Sequence, residues 1–303
     1  MSELKRKKGI KLFLFLLPGL IYVFVFFYMP LWGWSYAFIN YVPGKKFFNC
    51  DFVGFNNFKI LFGNAILRKN LLLTLRNTLA IHFIGYLFMP LPMMFAIFLN
   101  ELPGIRFKKI VQTASTLPHF ISWVIMFALA NSLLSTSGLL NTLLLDWGVL
   151  EKPFNVLTTD KNVWMTQVLI QQWKGLGWSS IVYFSAIAGI DQELYEAAKV
   201  DGAGRMARIR YITIPHLMPT FVVLIVMAIG NMLSTGIDQY FIFSNAMNKD
   251  YLETFDLYVY NLGLAGGKIS YGVAIGGMKS IIAIILFSVA NYVSKRVRGQ
   301  GIA

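Results

Sequence analysis

Lys174 and Lys279 each stand inside a long apolar run of this 303-residue sequence, and the apolar runs also hold Gln171, Gln172, Trp173, Trp178, Tyr183 and Asn231. An ammonium held away from water seeks an anion or a cavity, amides hydrogen-bond to hydroxyls, and flat rings stack on sugars. As a set, these side chains suit the lining of a cavity that captures a carbohydrate without covalent chemistry. One or both lysines would then hold an acidic sugar such as a uronate-containing oligosaccharide. Taken singly, each side chain also suits helix packing, and Lys279 also suits an outward-snorkelling position paired with an acid such as Asp238. Covalent catalysis is not expected, because no nucleophile, base and orienting group can be assembled. The single cysteine, Cys50, forms no intramolecular disulfide, and His82, His119 and His216 lie far apart, without metal-ligand spacing.

Two glycine-rich stretches resemble nucleotide sites only in their letters. Gly202-Ala203-Gly204-Arg205-Met206-Ala207 matches a dinucleotide fingerprint, but a helix precedes it where a buried strand is required. Gly266-Gly267-Lys268 is followed by Ile269 and lacks the rest of a P-loop. This chain is therefore expected to bind no cofactor of its own.

The elements that position these residues are membrane spans. The sequence is 56% hydrophobic and 14% charged, with a mean hydropathy of +0.60, whereas soluble domains carry roughly 25% charge. A helix needs about 20 mainly apolar residues to cross a bilayer. Windows of that kind fall at 12–37, 74–99, 111–135, 163–188, 217–237 and 271–294. Long runs without strand-like alternation select helices, so the expected fold is an all-α polytopic membrane protein of six transmembrane helices. Pro18, Pro30, Pro90, Pro92, Pro118 and Pro219 lie in or beside the spans and predict bends around a protein-lined or wet interior.

The net charge of +13 sits in short basic clusters beside apolar runs, which points to anionic lipid and topology and away from nucleic acid. Loops 1–11, 100–110, 189–216 and 295–303 hold 15 Lys or Arg in 59 residues, against nine in 96 for the three opposite loops. The positive-inside rule then places both termini in the cytoplasm. The basic start followed by a long apolar run reads as a retained first span, because the run is too long for a signal-peptide core.

The 189–216 loop is the most patterned stretch. Asp191 suits a helix N-cap, Glu193 and Glu196 suit the positive end of its dipole, and Gly202 suits its stop. These signals predict a short helix over 192–200, then a turn and a second helical segment ending at Pro215. Leu194, Ala197 and Ala198 are placed on one side of the first helix, as a surface that could press into a groove of another protein. A helix lying on the membrane is the alternative, given Lys199, Arg205, Arg208 and Arg210.

The spacing Glu196-Ala197-Ala198, three residues, Gly202, nine residues, then Ile212-Thr213-Ile214-Pro215 resembles the EAA loop of permease subunits of binding-protein-dependent ABC importers. Ile214 departs from the leucine usual there. Leu17-Pro18-Gly19-Leu20-Ile21-Tyr22, Val53-Gly54-Phe55-Asn56-Asn57-Phe58, Trp173-Lys174-Gly175-Leu176-Gly177-Trp178 and Ser294-Lys295-Arg296 are similar to the polysaccharide and oligosaccharide branch of those permeases. The resemblance covers nearly the whole chain. It implies a type-I importer fold, with residues 1–69 as tail, first helix and outer loop, 70–294 as a five-helix core, and 295–303 as a tail. It also implies that Glu196, Ala197, Ala198, Asp201, Gly202, Ala203, Ile212 and Pro215 form the element that couples to an ATPase. The partners it implies are a second homologous permease, cytoplasmic ATP-binding subunits that use ATP and Mg, and an extracellular solute-binding lipoprotein. The implied location is the bacterial cell membrane, and the implied activity is ATP-driven import of an oligosaccharide by alternating access.

Two other classes compete. An ion-driven secondary sugar transporter calls for carboxylates within the membrane, and no Asp or Glu lies in the middle of any predicted span. A membrane enzyme calls for acids and histidines clustered at one interface, and the sequence offers no such cluster.

Overall fold

The computed structural model describes residues 3–158 and 162–298. Residues 299–303, the end of the expected tail, lie outside the described residues. The chain forms two compact units, Met1–Arg68 with Tyr258–Ser280, and Lys69–Leu257 with Ile281–Ala303. The expected core of 70–294 is therefore divided, since Tyr258–Ser280 groups with the N-terminal segment.

In the first unit α1 (Glu3–Val23) continues through a π-turn at Phe24–Tyr28 and a 3₁₀ segment at Met29–Phe38. None of the apolar window of this span is buried, so lipid or another protein must cover it. A two-residue hairpin follows, β1 (Ile39–Asn40) against β2 (Asp51–Phe52), and is the one departure from an all-helical chain among the described residues. α2 (Asn56–Gly63) is anchored by buried Asn57, whose amide donates to the carbonyls of Ala37 and Ile39 at 2.8 and 3.0 Å. Gly54 supplies the left-handed backbone of the preceding turn at φ +55°, and Phe55 and Phe58 close on Phe38, with ring centroids 5.4 and 5.7 Å away. The Val53–Phe58 motif is thus an anchor for a loop.

The second unit is built around α8 (Val163–Ala188). Before it come α3 (Ala65–Leu87), α4 (Pro90–Glu101), α5 (Ile105–Phe120), α6 (Trp123–Leu134) and α7 (Leu139–Asp146). After it come α9 (Gln192–Val200), α10 (Arg205–Arg208), α11 (Ile214–Gly230), α12 (Asp238–Phe243) and α13 (Lys249–Leu252). Along the chain α14 (Phe255–Val259), a π-turn at Tyr260–Ala265 and the last helix, α15 (Ile269–Arg298), follow; Tyr258–Ser280 of this stretch belongs to the first unit and the rest of α15 to the second. Tyr183 and Ile187 of α8 form the core with Met93, Ala96 and Ile97 of α4, together with Ile209 and Leu217.

Among the described residues, five helical stretches are long and apolar enough to cross a membrane: Gly9–Phe38, Ala65–Glu101, Trp123–Asp146, Arg205–Gly230 and Ile269–Arg296. α8 is the sixth by length, since its 26 residues extend about 39 Å, but Gln171, Gln172 and Lys174 make it more polar. The expected third span, 111–135, is interrupted. α5 ends at Phe120, and Ser122 caps α6 by accepting from the Ile125 N–H. The expected fifth span, 217–237, ends as a helix at Gly230.

The interruption after α5 explains the Trp173–Trp178 motif. The end of α5 leaves backbone carbonyls short of partners, although that of Pro118 also accepts from the Ile121 N–H at 3.2 Å. The Lys174 ammonium donates to three of them, on Pro118, His119 and Ile121, at 3.1, 2.6 and 2.6 Å. Trp178 stacks on His119 with centroids 4.3 Å apart and planes 1° from parallel. A Cβ on Gly177 would stand 2.3 Å from the Ser115 backbone, so only glycine permits this approach of α5 to α8. Lys174, expected to hold a substrate anion, is instead bonded to the end of a helix.

Three substitutions test this seam by thermal unfolding of the detergent-solubilised protein. Gly177→Ala is expected to lower stability by about 1–3 kcal/mol through overpacking, whereas Gly175→Ala, with nothing within 4 Å of its Cβ, leaves the midpoint nearly unchanged. Lys174→Met is expected to cost about 1–3 kcal/mol through the carbonyls it strands. Unchanged stability combined with selective loss of acidic-sugar uptake would restore Lys174 as a ligand.

Candidate functional site

The loop after α8 forms the predicted short helix. The Asp191 carboxylate accepts from the Glu193 N–H at 3.0 Å at the start of α9. At the other end Gly202 turns left-handed at φ +76°. Its N–H reaches the Lys199 carbonyl at 3.1 Å, and the Ala203 N–H reaches Ala198 at 2.8 Å. This pair of bonds is a Schellman stop, for which a glycine is preferred. Glu193 in the first turn and Lys199 in the last both complement the helix dipole.

The outer face of α9 is apolar and uncovered. Leu194 is 43% exposed and Val200 88%, and Ala197 between them is exposed too, all three at a spacing of three residues. Glu196 and Asp201 are exposed beside this face, while Ala198 and Ala203 are half-buried. The expected grouping of Ala198 with Leu194 and Ala197 therefore holds only in part.

The inner face ties the loop to the spans. The Tyr195 hydroxyl meets the Thr213 hydroxyl at 2.9 Å, and Arg205 pairs with Glu101, at the end of α4, at 3.1 Å. The second segment does not end at Pro215, contrary to expectation. Ile209–Thr213 widens into a π-turn, with the Ile214 N–H bonded to the Ile209 carbonyl, and the helical path runs from Arg205 to Gly230. A proline ring clashes with the carbonyl four residues before it in a regular α-helix. The wider turn relieves that crowding, so Pro215 sits in the first turn of α11, exposed, with Ile212 half-buried beside it.

A polar cavity of about 400 Å³ lies among α3, α8 and α11. Gln171, Gln172, Gly175 and Ser179 line it from α8, His82 and Tyr86 from α3, and Ser234 and Thr235 from the segment after α11. The Tyr86 hydroxyl donates to the Ala228 carbonyl of α11 at 2.9 Å, and the His82 Nδ1 lies 2.9 Å from the Thr78 carbonyl. None of the lining residues carries a carboxylate.

Of the residues assigned to the pathway by sequence, Gln171 lines this cavity. Trp173 lines a separate apolar cavity of about 320 Å³. Lys174 and Trp178 hold α5, Tyr183 is a core side chain 2% exposed, and the Asn231 amide donates back to the Met227 carbonyl at the end of α11. Lys279 is half-buried on α15, in the unit that contains Tyr258–Ser280. His82, Tyr86, Ser179, Ser234 and Thr235 were not singled out. A signal existed: residues 172, 175 and 179 are a small, polar stripe at helical spacing, and His82 and Tyr86 are four apart.

Comparison with known proteins gives the family and the fold. Residues 88–299 match the family described as the binding-protein-dependent transport system inner membrane component. The chain is 38% identical to the polygalacturonan/rhamnogalacturonan transport system permease protein YteP of Bacillus subtilis, covering 96% of this chain and 89% of that protein. It is 37% identical to Protein LplB of the same organism, covering 100% of this chain and 93% of that one. A crystal structure of a bacterial ABC transporter involved in the import of the acidic polysaccharide alginate contains a chain 31% identical, with a TM-score of 0.84 over 98% of this chain and all of that one. The chain belongs to the inner membrane components of binding-protein-dependent transport systems and is a multi-pass permease subunit of an ABC importer, with ATP handled by a separate subunit.

Proposed function

We propose that this chain is one of two different permeases enclosing an alternating-access pathway for an acidic oligosaccharide, moved by cytoplasmic ATPases that grip the 189–216 loop. The observation that carries this reading is the mechanical continuity from α9 to the cavity wall. α9 presents exposed Leu194, Ala197 and Val200 outward, and bonds inward through Tyr195 to Thr213. Thr213 leads directly into α11, which bonds to Tyr86 at the cavity through the Ala228 carbonyl. A pull on α9 thereby reaches the α11 and α3 walls. Glu196, Ala197, Gly202 and the residues around them are the coupling element, and Gln171, Gln172 and the neighbouring hydroxyls hydrogen-bond the sugar in passage.

The acidic substrate is supported by the relatives named for polygalacturonan and alginate and by the lack of any carboxylate in the cavity lining. In this reading an extracellular lipid-anchored binding protein delivers the sugar, both termini face the cytoplasm of a bacterial cell, and lipid or the second permease covers α1.

Two measurements test the proposal. The tagged chain purified from its native membrane is expected to bring a second permease and an ATPase, and Glu196→Lys or Gly202→Asp to lose or uncouple the ATPase. In the reconstituted complex, Gln171→Leu with Gln172→Leu is expected to lower uptake of an oligogalacturonate by about tenfold with the ATPase still bound. A chain that purifies alone and transports without ATP would falsify the importer assignment, and equal uptake of neutral and acidic oligomers would remove the acidic preference.

A further inference from the structure

A third cavity, of about 420 Å³, lies on the inner side of α9, and neither the sugar pathway nor the exposed docking face uses it. Its walls come from the end of α4, the start of α5, the end of α8, α9 itself and Arg208 of α10. Three cations line it, Lys108, Lys199 and Arg208. The one carboxylate among its lining residues, Glu101, is taken up by Arg205 at 3.1 Å.

Arg208 supplies an independent observation. Its Nε is shut off from solvent and has no hydrogen-bond partner. A buried donor on a charged group is costly when unmet, and native structures rarely leave one so. A guanidinium presents a rigid fork that fits oxyanions, with phosphate and carboxylate foremost. The Lys108 ammonium, one of whose donors is spent on the Asn100 carbonyl, has further donors to offer. Leu99, Phe184 and Ile187 make another wall apolar, which suits an anion attached to alkyl carbon.

We propose that this cavity binds a phosphate-bearing anion between Arg208, Lys199 and Lys108, and that its occupancy braces α9 against the ends of the spans. A lipid headgroup and a free phosphate share this chemistry. Lys199 sits in the last turn of α9 and Lys108 in the first turn of α5, so a bound phosphate links the coupling helix to the span side across the cavity. Only this mechanical consequence rests on the coupling role of α9, and binding itself is independent of it.

The test uses the purified full-length chain with its co-purifying subunits. One arm is reconstitution in phosphatidylcholine nanodiscs containing a minor fraction of phosphatidylglycerol, with native mass spectrometry of the retained lipid. The other is equilibrium dialysis of radiolabelled inorganic phosphate against the complex in phosphatidylcholine alone. Retention of phosphatidylglycerol over phosphatidylcholine, lowered about tenfold by Arg208→Gln and by Lys199→Gln but not by Lys109→Gln, identifies a lipid. The same pattern in the phosphate arm identifies a free anion. Lys199 is exposed on α9, so Lys199→Gln remains informative where Arg208→Gln fails to fold. If neither probe distinguishes the wild type from Lys199→Gln, the proposal is overturned. ATPase stimulation by sugar-loaded binding protein, followed in the same samples, separates failure of the coupling role from failure of binding.

Discussion

A backbone carbonyl or amide buried in lipid or in protein has no water to bond, so each place where a helix of this chain stops or bends must find its partner within the protein. That constraint organises the polar side chains of both units. Lys174 meets three carbonyls where α5 ends. Asn57 meets two beside the β-hairpin. Asn77 donates to the carbonyls of Asp250 and Glu253, and Asn248 to those of Leu157 and Phe243. Each such bond is worth only about 1 kcal/mol net, but leaving the buried group unmet costs more, so these residues act mainly by forbidding other arrangements.

The same constraint explains why the bent elements surround the cavity and the loop. α3 and α4 meet at a break just before Pro90, α5 and α6 at a break after Pro118, and the path from α10 into α11 passes a π-turn before Pro215. A straight helix would hand on a push only along its axis. At the loop, Tyr195 bonds α9 to Thr213 in the π-turn before α11, and Arg205 bonds the start of α10 to Glu101 at the end of α4. Close helix contact sets the opposite limit. Gly177 against Ser115 and Gly230 against the Phe287 side chain leave no room for even one methyl without a shift, so those seams are closely packed.

Much of this was legible in the chain. Hydropathy located the spans because lipid selects composition over about 20 residues. The α9 boundaries were legible because capping is local: Asp191 and Gly202 act within a turn of themselves. The EAA-like spacing could be read for the same reason. The interruption at Ile121–Ser122 and the passage through Pro215 were not, since a proline's effect depends on whether a neighbouring group takes up the freed carbonyl or the helix widens.

What the sequence determined by itself is the class of the protein and its loop helix, because each follows from composition or from spacings closed within a few residues; the family is carried by the resemblance of its motifs. What only the tertiary structure decided is the job of each polar side chain within the membrane. Lys174, Tyr183 and Asn231 read as pathway residues by type, yet one holds a helix end, one fills a core and one caps α11. His82, which the sequence offers only as a histidine without metal-ligand spacing, and Tyr86 line the cavity with Gln171. The physical reason is direction: a side chain's type limits what it can bond, but which face of which helix carries it, and what lies opposite, is set by contacts some 50 to 150 residues away along the chain, such as Lys174 with Ile121 and Tyr86 with Ala228.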